Sequence, residues 1–304
     1  MLKYSSFCPN YYYLRTKQFD VKELIITKAS GDTAIFEMDK LRQSMRNAGA
    51  TEEQIEYVVK DIEPRLYQGM TTKTIYKWAF SILKKQSKPI AARYQLKKAI
   101  MDIGPSGFPF EIFVSELLKK SGYSTKVGTV IQGSCVSHEI DVIASTEKEH
   151  LMVECKFHSQ AGKMSDVKVP LYIQSRFIDV SSKWILQASL KNKHLQGLVV
   201  TNTRFSPDAV QYANCIGLRI LSWDYPLHEG LKDLIDQYFL YPITCLTSIT
   251  TLEKNSLLKS KTLLCAELLK DQEPLKSISI SEKRIASILT EINHMNIAKP
   301  TIFN

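Results

Sequence analysis

No apolar run in this chain reaches the length of a transmembrane helix, and no signal peptide opens it. The expectation is a soluble, cytoplasmic protein without a membrane partner. Cysteine is sparse: six residues, at 8, 135, 155, 215, 245 and 265, lie dispersed and form no C-x-x-C pair. That excludes the usual zinc-ligand spacing and points to reduced thiols, not a disulfide framework. A Walker-type G-x-x-x-x-G-K-[ST] is also missing, so no ATPase motor is expected. Acid is in deficit: 31 Asp and Glu stand against 40 Lys and Arg, a net charge of +9. Such a balance favours a polyanionic partner. With 304 residues, 44% hydrophobic and 23% charged, the chain can bury the cores of two or three domains.

The most informative stretch is His138-Glu139-Ile140-Asp141-Val142-Ile143-Ala144, followed by Leu151-Met152-Val153-Glu154-Cys155-Lys156-Phe157. Both runs read as short buried strands, and Thr146-Glu147-Lys148-Glu149-His150 is a hairpin-sized connection. Side chains alternate faces along a strand, so Glu154 and Lys156 emerge on one side, and Asp141 can face them from the neighbouring strand. Paired carboxylates suit a hard divalent cation such as Mg²⁺. An ammonium beside them can orient a water or neutralise charge on a phosphate.

Asp141 with Glu154-Cys155-Lys156 resembles the Asp…Glu-x-Lys signature of the PD-(D/E)xK nucleases. Phe108-Pro109-Phe110-Glu111 opens an apolar helix running to Lys120, and Gly197-Leu198-Val199-Val200-Thr201-Asn202 stands downstream. That order over residues 105–240 is similar to the Mrr-like restriction endonuclease domain, although His138 and Glu139 stand where the family has glycines. The resemblance implies catalysis by Asp141, Glu154, Lys156 and Glu111. It also implies Mg²⁺ on Asp141, Glu154 and the Cys155 carbonyl. Double-stranded DNA would be the substrate and a homodimer the acting form. Gln174 or Arg176 on the following helix, and His158 after the second strand, are further candidates to face the site.

Residues 21–104 read as a unit of their own. Leu24–Lys28 and Thr33–Phe36 are strands around a turn at Ser30-Gly31-Asp32, and a helix runs from about Asp39 to Gly49. Thr51-Glu52-Glu53-Gln54 is a capping box, and Ile55, Val58, Val59 and Ile62 form one helix face. Thr71-Thr72 starts a third helix, and a last one runs from about Pro89 to Ile100. Ile26-Thr27-Lys28, Gly31, Phe36, Asp39-Lys40, Gly69–Tyr76, Ala91-Ala92-Arg93-Tyr94 and Ile103–Gly107 resemble the motifs of the ATP-cone, with Ala29 and Ser30 in place of its usual Arg and Asp. The resemblance implies an adenine nucleotide, ATP or dATP, bound as an effector by Lys28, Gly31, Lys40, Thr72 and Tyr76. Those residue types suit it: cations for the triphosphate, a helix N-terminus for anions and an aromatic ring for the base.

The expected fold is therefore multidomain α/β. Residues 1–20 form a tail and 21–104 a β-hairpin with four helices. Residues 105–240 form a mixed sheet with helices on both faces, and 241–304 a small helical region. The last region faintly resembles helix-hairpin-helix modules, with Lys261 in the place of their glycine. The expected function is a Mg²⁺-dependent restriction-type DNA endonuclease regulated by nucleotide. The alternatives are a nucleotide-responsive DNA-binding regulator that does not cut, or a structure-selective repair nuclease or junction resolvase.

Overall fold

The computed structural model describes residues 24–297. The tail expected over residues 1–20 lies outside them. The chain opens with a hairpin of β1 (Ile25–Thr27) and β2 (Thr33–Ile35). Its turn is closed by Lys28 N–H donating to the Asp32 carbonyl at 2.7 Å, and Gly31 takes φ +93°, a conformation only glycine adopts cheaply. Helices α1 (Met38–Asn47) and α2 (Glu52–Ile62) follow. The Thr51–Gln54 capping box starts α2, whose apolar stripe of Ile55, Val58, Val59 and Ile62 is buried. Thr71 caps α3 (Thr72–Gln86), which buries Ile75, Ala79 and Leu83.

Where one helix is expected over 89–100 there are two, α4 (Lys88–Tyr94) and α5 (Leu96–Met101), broken at Gln95. The break has a tertiary cause. The Gln95 side chain donates to the carbonyl of Cys245, and the Thr244 hydroxyl donates to that of Ala99.

Helix α6 (Phe108–Lys120) leads into the sheet strands β3 (Ser124–Gln132), β4 (Ser137–Ser145) and β5 (Glu149–Lys156). After the two-residue β6 (Met164–Ser165) come α7 (Lys168–Trp184), β7 (His194–Thr201) and the short β8 (Arg204–Phe205). Then follow α8 (Pro207–Ile216), β9 (Arg219–Leu221) and α9 (Leu231–Tyr238). The sheet order is β3-β4-β5-β7-β9. The first three strands are antiparallel, and β7 and β9 join in parallel, so the central sheet is mixed. The sequence reading missed β3: none of its residues is buried and Gly128 interrupts it, so it carries no hydrophobic signature.

Among the described residues four helices come last: α10 (Thr251–Lys259), α11 (Cys265–Lys270), α12 (Glu273–Ser277) and α13 (Glu282–Ile297). Lys261, between α10 and α11, takes φ +67°, so the place expected for a glycine has glycine-like geometry.

Three apolar cores hold the fold. One joins the hairpin to α1–α4 and ends at Ala91. A second covers the sheet face under α6 and takes in α5, α9 and the C-terminal helices. A third lies between the opposite sheet face and α7 and α8. The cores thus divide at residues 91 and 92, not at 104, and residues 241–297 share the core of the sheet. Buried Arg93 pins this junction. Its Nη1 donates to the Met295 carbonyl at 3.2 Å and its guanidinium lies 5.7 Å from the Tyr241 ring centre.

Among the described residues no helix is long and apolar enough to cross a membrane.

Candidate active site

The β4–β5 register pairs Val142 with Val153, which carries Asp141 to a place opposite Glu154. The Cys155 N–H donates to Asp141 Oδ2 at 2.7 Å, tying the acid to the neighbouring strand. Glu154 shares a strand face with Met152, which packs in the core under α7. From α7, Arg176 Nη1 donates to Glu154 Oε2 at 2.6 Å, and its Nη2 reaches the Glu139 carbonyl. Lys156 Nζ donates to Glu154 Oε1 at 2.7 Å. Glu154, only 6% exposed, therefore meets a cation at each oxygen. Of the two helix candidates, Arg176 is the one engaged here.

Glu111 enters from the first turn of α6. Burial, then repulsion by Asp141, Glu139 and Glu154, raises its carboxyl to about 7. Asp141 is raised to about 6 by burial and by Glu154. Asp141, Glu154, Lys156 and Glu111 are thus brought into one electrostatic cluster. The Cys155 side chain points the other way, into the core beneath α6, so only its main chain can serve a metal.

Among the described residues no group of three or more His, Cys, Asp and Glu side chains stands at metal-holding spacing. The donor set still fits Mg²⁺. Glu111 and Asp141 are hard oxygen donors whose burial disfavours the charged form, and Mg²⁺ takes few protein ligands beside its waters.

The loop after β5 is strapped from two sides. His158 N–H donates to Asn202 Oδ1 and Asn202 Nδ2 donates back to the His158 carbonyl, both at 2.8 Å. The Thr201 hydroxyl donates to the Lys156 carbonyl at 2.8 Å. His158 Nε2 lies 3.2 Å from Ser165 Oγ, and burial followed by Lys163 and Lys156 lowers its pKa. Burial thus disfavours the charged form of His158, whose ring braces the loop against Ser165.

Asp179 on α7 accepts from the amides of Cys135 and Val136 and pairs with His138 Nε2 at 2.7 Å. Sequence reasoning missed Asp179 and the strap role of Asn202. The Asn202 signal was present, as a polar Thr-Asn-Thr closing an apolar strand.

In the N-terminal unit a parallel bridge joins Thr27 to Thr71, so Lys28 stands next in line to Thr72 at the start of α3. Lys40 pairs with Glu37 at 2.7 Å and is largely exposed. Tyr76 departs from expectation. Its ring stacks on Tyr94 at 4.9 Å and its hydroxyl donates to the Tyr94 carbonyl at 3.2 Å. Spent on this internal pair, it leaves the nucleotide set.

Fold and site together define a mixed α/β protein with a carboxylate–cation cluster at its paired strands. Residues 241–295 match the family model described as AF1548-like, C-terminal. An uncharacterized protein of Archaeoglobus fulgidus is 34% identical over 179 residues, 59% of this chain and 97% of that protein. A crystal structure of AF1548, a protein of unknown function, matches with TM-score 0.50 and 31% identity, over 63% of this chain and 98% of that one. The chain belongs to the AF1548-like family.

Proposed function

We propose that this protein is a Mg²⁺-dependent, restriction-type DNA endonuclease whose N-terminal unit senses an adenine nucleotide. In this reading residues 105–240 are an Mrr-like nuclease domain and 21–104 an ATP-cone, and the acting form is a homodimer on double-stranded DNA. The observation that carries it is the convergence of Asp141, Glu154 and Lys156, with Glu111 in electrostatic reach.

Mg²⁺ held by Asp141, Glu154 and the Cys155 carbonyl would supply Lewis acidity and an activated water. Asp141 and Glu154 fix where a phosphodiester can approach. Lys156 is the more exposed partner of Glu154, with its side chain 34% exposed against 11% for Arg176. It leaves the carboxylate more readily and turns its ammonium toward the attacking water and the charge building on phosphorus. Arg176 stays and holds Glu154. Lys28, Gly31, Lys40 and Thr72 make the nucleotide site, with ATP or dATP bound and not consumed.

The test is cleavage of double-stranded DNA with Mg²⁺. Lys156→Ala and Asp141→Ala are expected to lose activity by about 10²-fold or more, as when a charge-stabilising group is removed. Their circular dichroism and DNA affinity should stay close to those of the parent. Undiminished cutting by Lys156→Ala would remove the assignment.

One observation favours a second reading, a DNA-binding regulator that does not cut: both Glu154 oxygens already carry a protein cation. It predicts nucleotide-dependent DNA binding without cleavage under any metal. A repair nuclease or junction resolvase would differ from both in preferring branched DNA whatever its sequence.

A further inference from the structure

The hairpin turn of the N-terminal unit rests directly on the loop that follows Lys156. Gly162, at φ +89°, is the point of contact. A Cβ placed on it would stand 2.8 Å from the Ser30 nitrogen and 3.0 Å from the Ala29 carbonyl carbon. Two backbones approach here with no side chain between them, a closeness that only glycine permits.

Both partners are small closed devices. On one side, Gly31 N–H donates to the Lys28 carbonyl at 3.1 Å and the Ser30 hydroxyl to Asp32 Oδ2 at 2.7 Å, so the turn moves as a unit. On the other, His158 and Ser165 meet at 3.2 Å and β6 pairs with β8, so the base of the loop is pinned. The exposed tip Ser159–Lys163 projects from that base. The base leads on to the site, because Asn202 clasps His158 and Thr201 holds the Lys156 carbonyl.

We propose that the Lys28–Gly31 turn and the Gly162 tip form the contact through which nucleotide occupancy is transmitted to Lys156. The inference rests on the reading of the turn as part of a nucleotide site and of Lys156 as catalytic. The face of the turn that carries Lys28 would receive the phosphates, and its Ala29–Ser30 edge bears on the tip. A ligand that redraws the turn therefore shifts the tip, and the pinned base carries the shift to the end of β5. The covalent connection through Gly104–Gly107 is not needed for the coupling. The present contact is the restrained state, and nucleotide releases it.

Hydrogen exchange on the full chain, with and without ATP, tests this, with calorimetry of ATP binding run in parallel. In the parent protein the amides of residues 159–163 should exchange faster by about fivefold or more once ATP is bound, the lower range of ordinary effector coupling. In Gly162→Val the contact is wedged open, so these amides should exchange fast without nucleotide and change no further with it, while ATP affinity is kept. Gly162→Ala, whose single Cβ already meets the Ser30 nitrogen at 2.8 Å, should do the same with a smaller wedge and stands in if Gly162→Val does not fold.

ATP binding with no response at 159–163, or a parent-like response in Gly162→Ala, would overturn the proposed contact and leave the nucleotide reading standing. No binding of ATP or dATP would overturn the nucleotide reading and this contact with it. Unchanged cleavage alongside a confirmed tip response would overturn only the link to Lys156.

Discussion

Glu154 is the residue on which the site turns. Arg176 meets it inside the fold with a charge-assisted bond at 2.6 Å, and both side chains are nearly closed to solvent. Removing one partner leaves the other short of a bond to a charged group, a loss of about 2 kcal/mol. Arg176→Ala should therefore lower the urea unfolding free energy by roughly that amount, because Lys156 still holds the second oxygen. A change within the error of the measurement would mean that solvent already screens the pair.

Glu111 and Asp141 make a prediction of opposite character. Burial and neighbouring carboxylates raise them, from 4.5 to about 7 and from 3.8 to about 6. As pH rises through this window the unfolded chain loses its protons first, so the native state binds more of them and stability falls. Metal-free protein should lose stability steadily from about pH 4 to pH 7. Glu111→Gln should flatten the upper part of that decline in a series of urea midpoints. An unaltered slope would place the titrating groups elsewhere.

At the level of elements, several helices announce themselves by caps. Thr51 before α2, Thr71 before α3, Ser206 before α8 and Thr250 before α10 all accept from the third following amide. The strands β4 and β5 were equally legible, because their apolar runs are buried on both faces. The edge strand β3 was not, although it pairs with β4 at eight positions, and the connection between them is held by a contact no local pattern encodes. Asp179, on α7, takes the amides of Cys135 and Val136 and the ring of His138. That carboxylate straps the β3–β4 connection to the helix behind the site. Asp179→Ala should speed amide exchange at residues 133–138 while leaving the amides of β5 protected. Unchanged exchange at 135 and 136 would show that the strap carries no load.

Across the whole molecule, the arrangement of units differs most from the linear reading. A chain of three successive domains joined at 104 and 240 is what composition and motifs imply. The cores instead divide inside the 88–101 region, and the last four helices complete the sheet's own core. Arg93 is the fastener. It bonds the Met295 carbonyl, lies over Tyr241 and stands 3.7 Å from Asp236, with its side chain 2% exposed. Its Nε and Nη2 are buried without a hydrogen-bond partner among the described residues, so the net loss on removing it is set by the one bond from Nη1, about 1 kcal/mol. Arg93→Ala should lower the melting temperature and separate the N-terminal unit as an earlier transition in calorimetry. A single transition at the parent temperature would show that apolar packing alone holds the junction.

The sequence by itself determined what local chemistry controls. Capping side chains, the 3.6-residue stripe of α2 and the buried runs of β4 and β5 follow from interactions within a few residues. The two-residue spacing that puts Glu154 and Lys156 on one face follows from them as well. The pairing of Asp141 opposite Glu154 was legible for the same reason, since a short hairpin leaves little choice of register. Only the tertiary structure decided the rest. Arg176 joined Glu154, Tyr76 was claimed by Tyr94, Gln95 broke a helix to reach Cys245, and Gly162 met Ser30. Each of these depends on a partner 18 or more positions away, as in the Tyr76 and Tyr94 pair. Such partners are chosen by the packing of whole helices and sheets, and no window of sequence contains both sides of the choice.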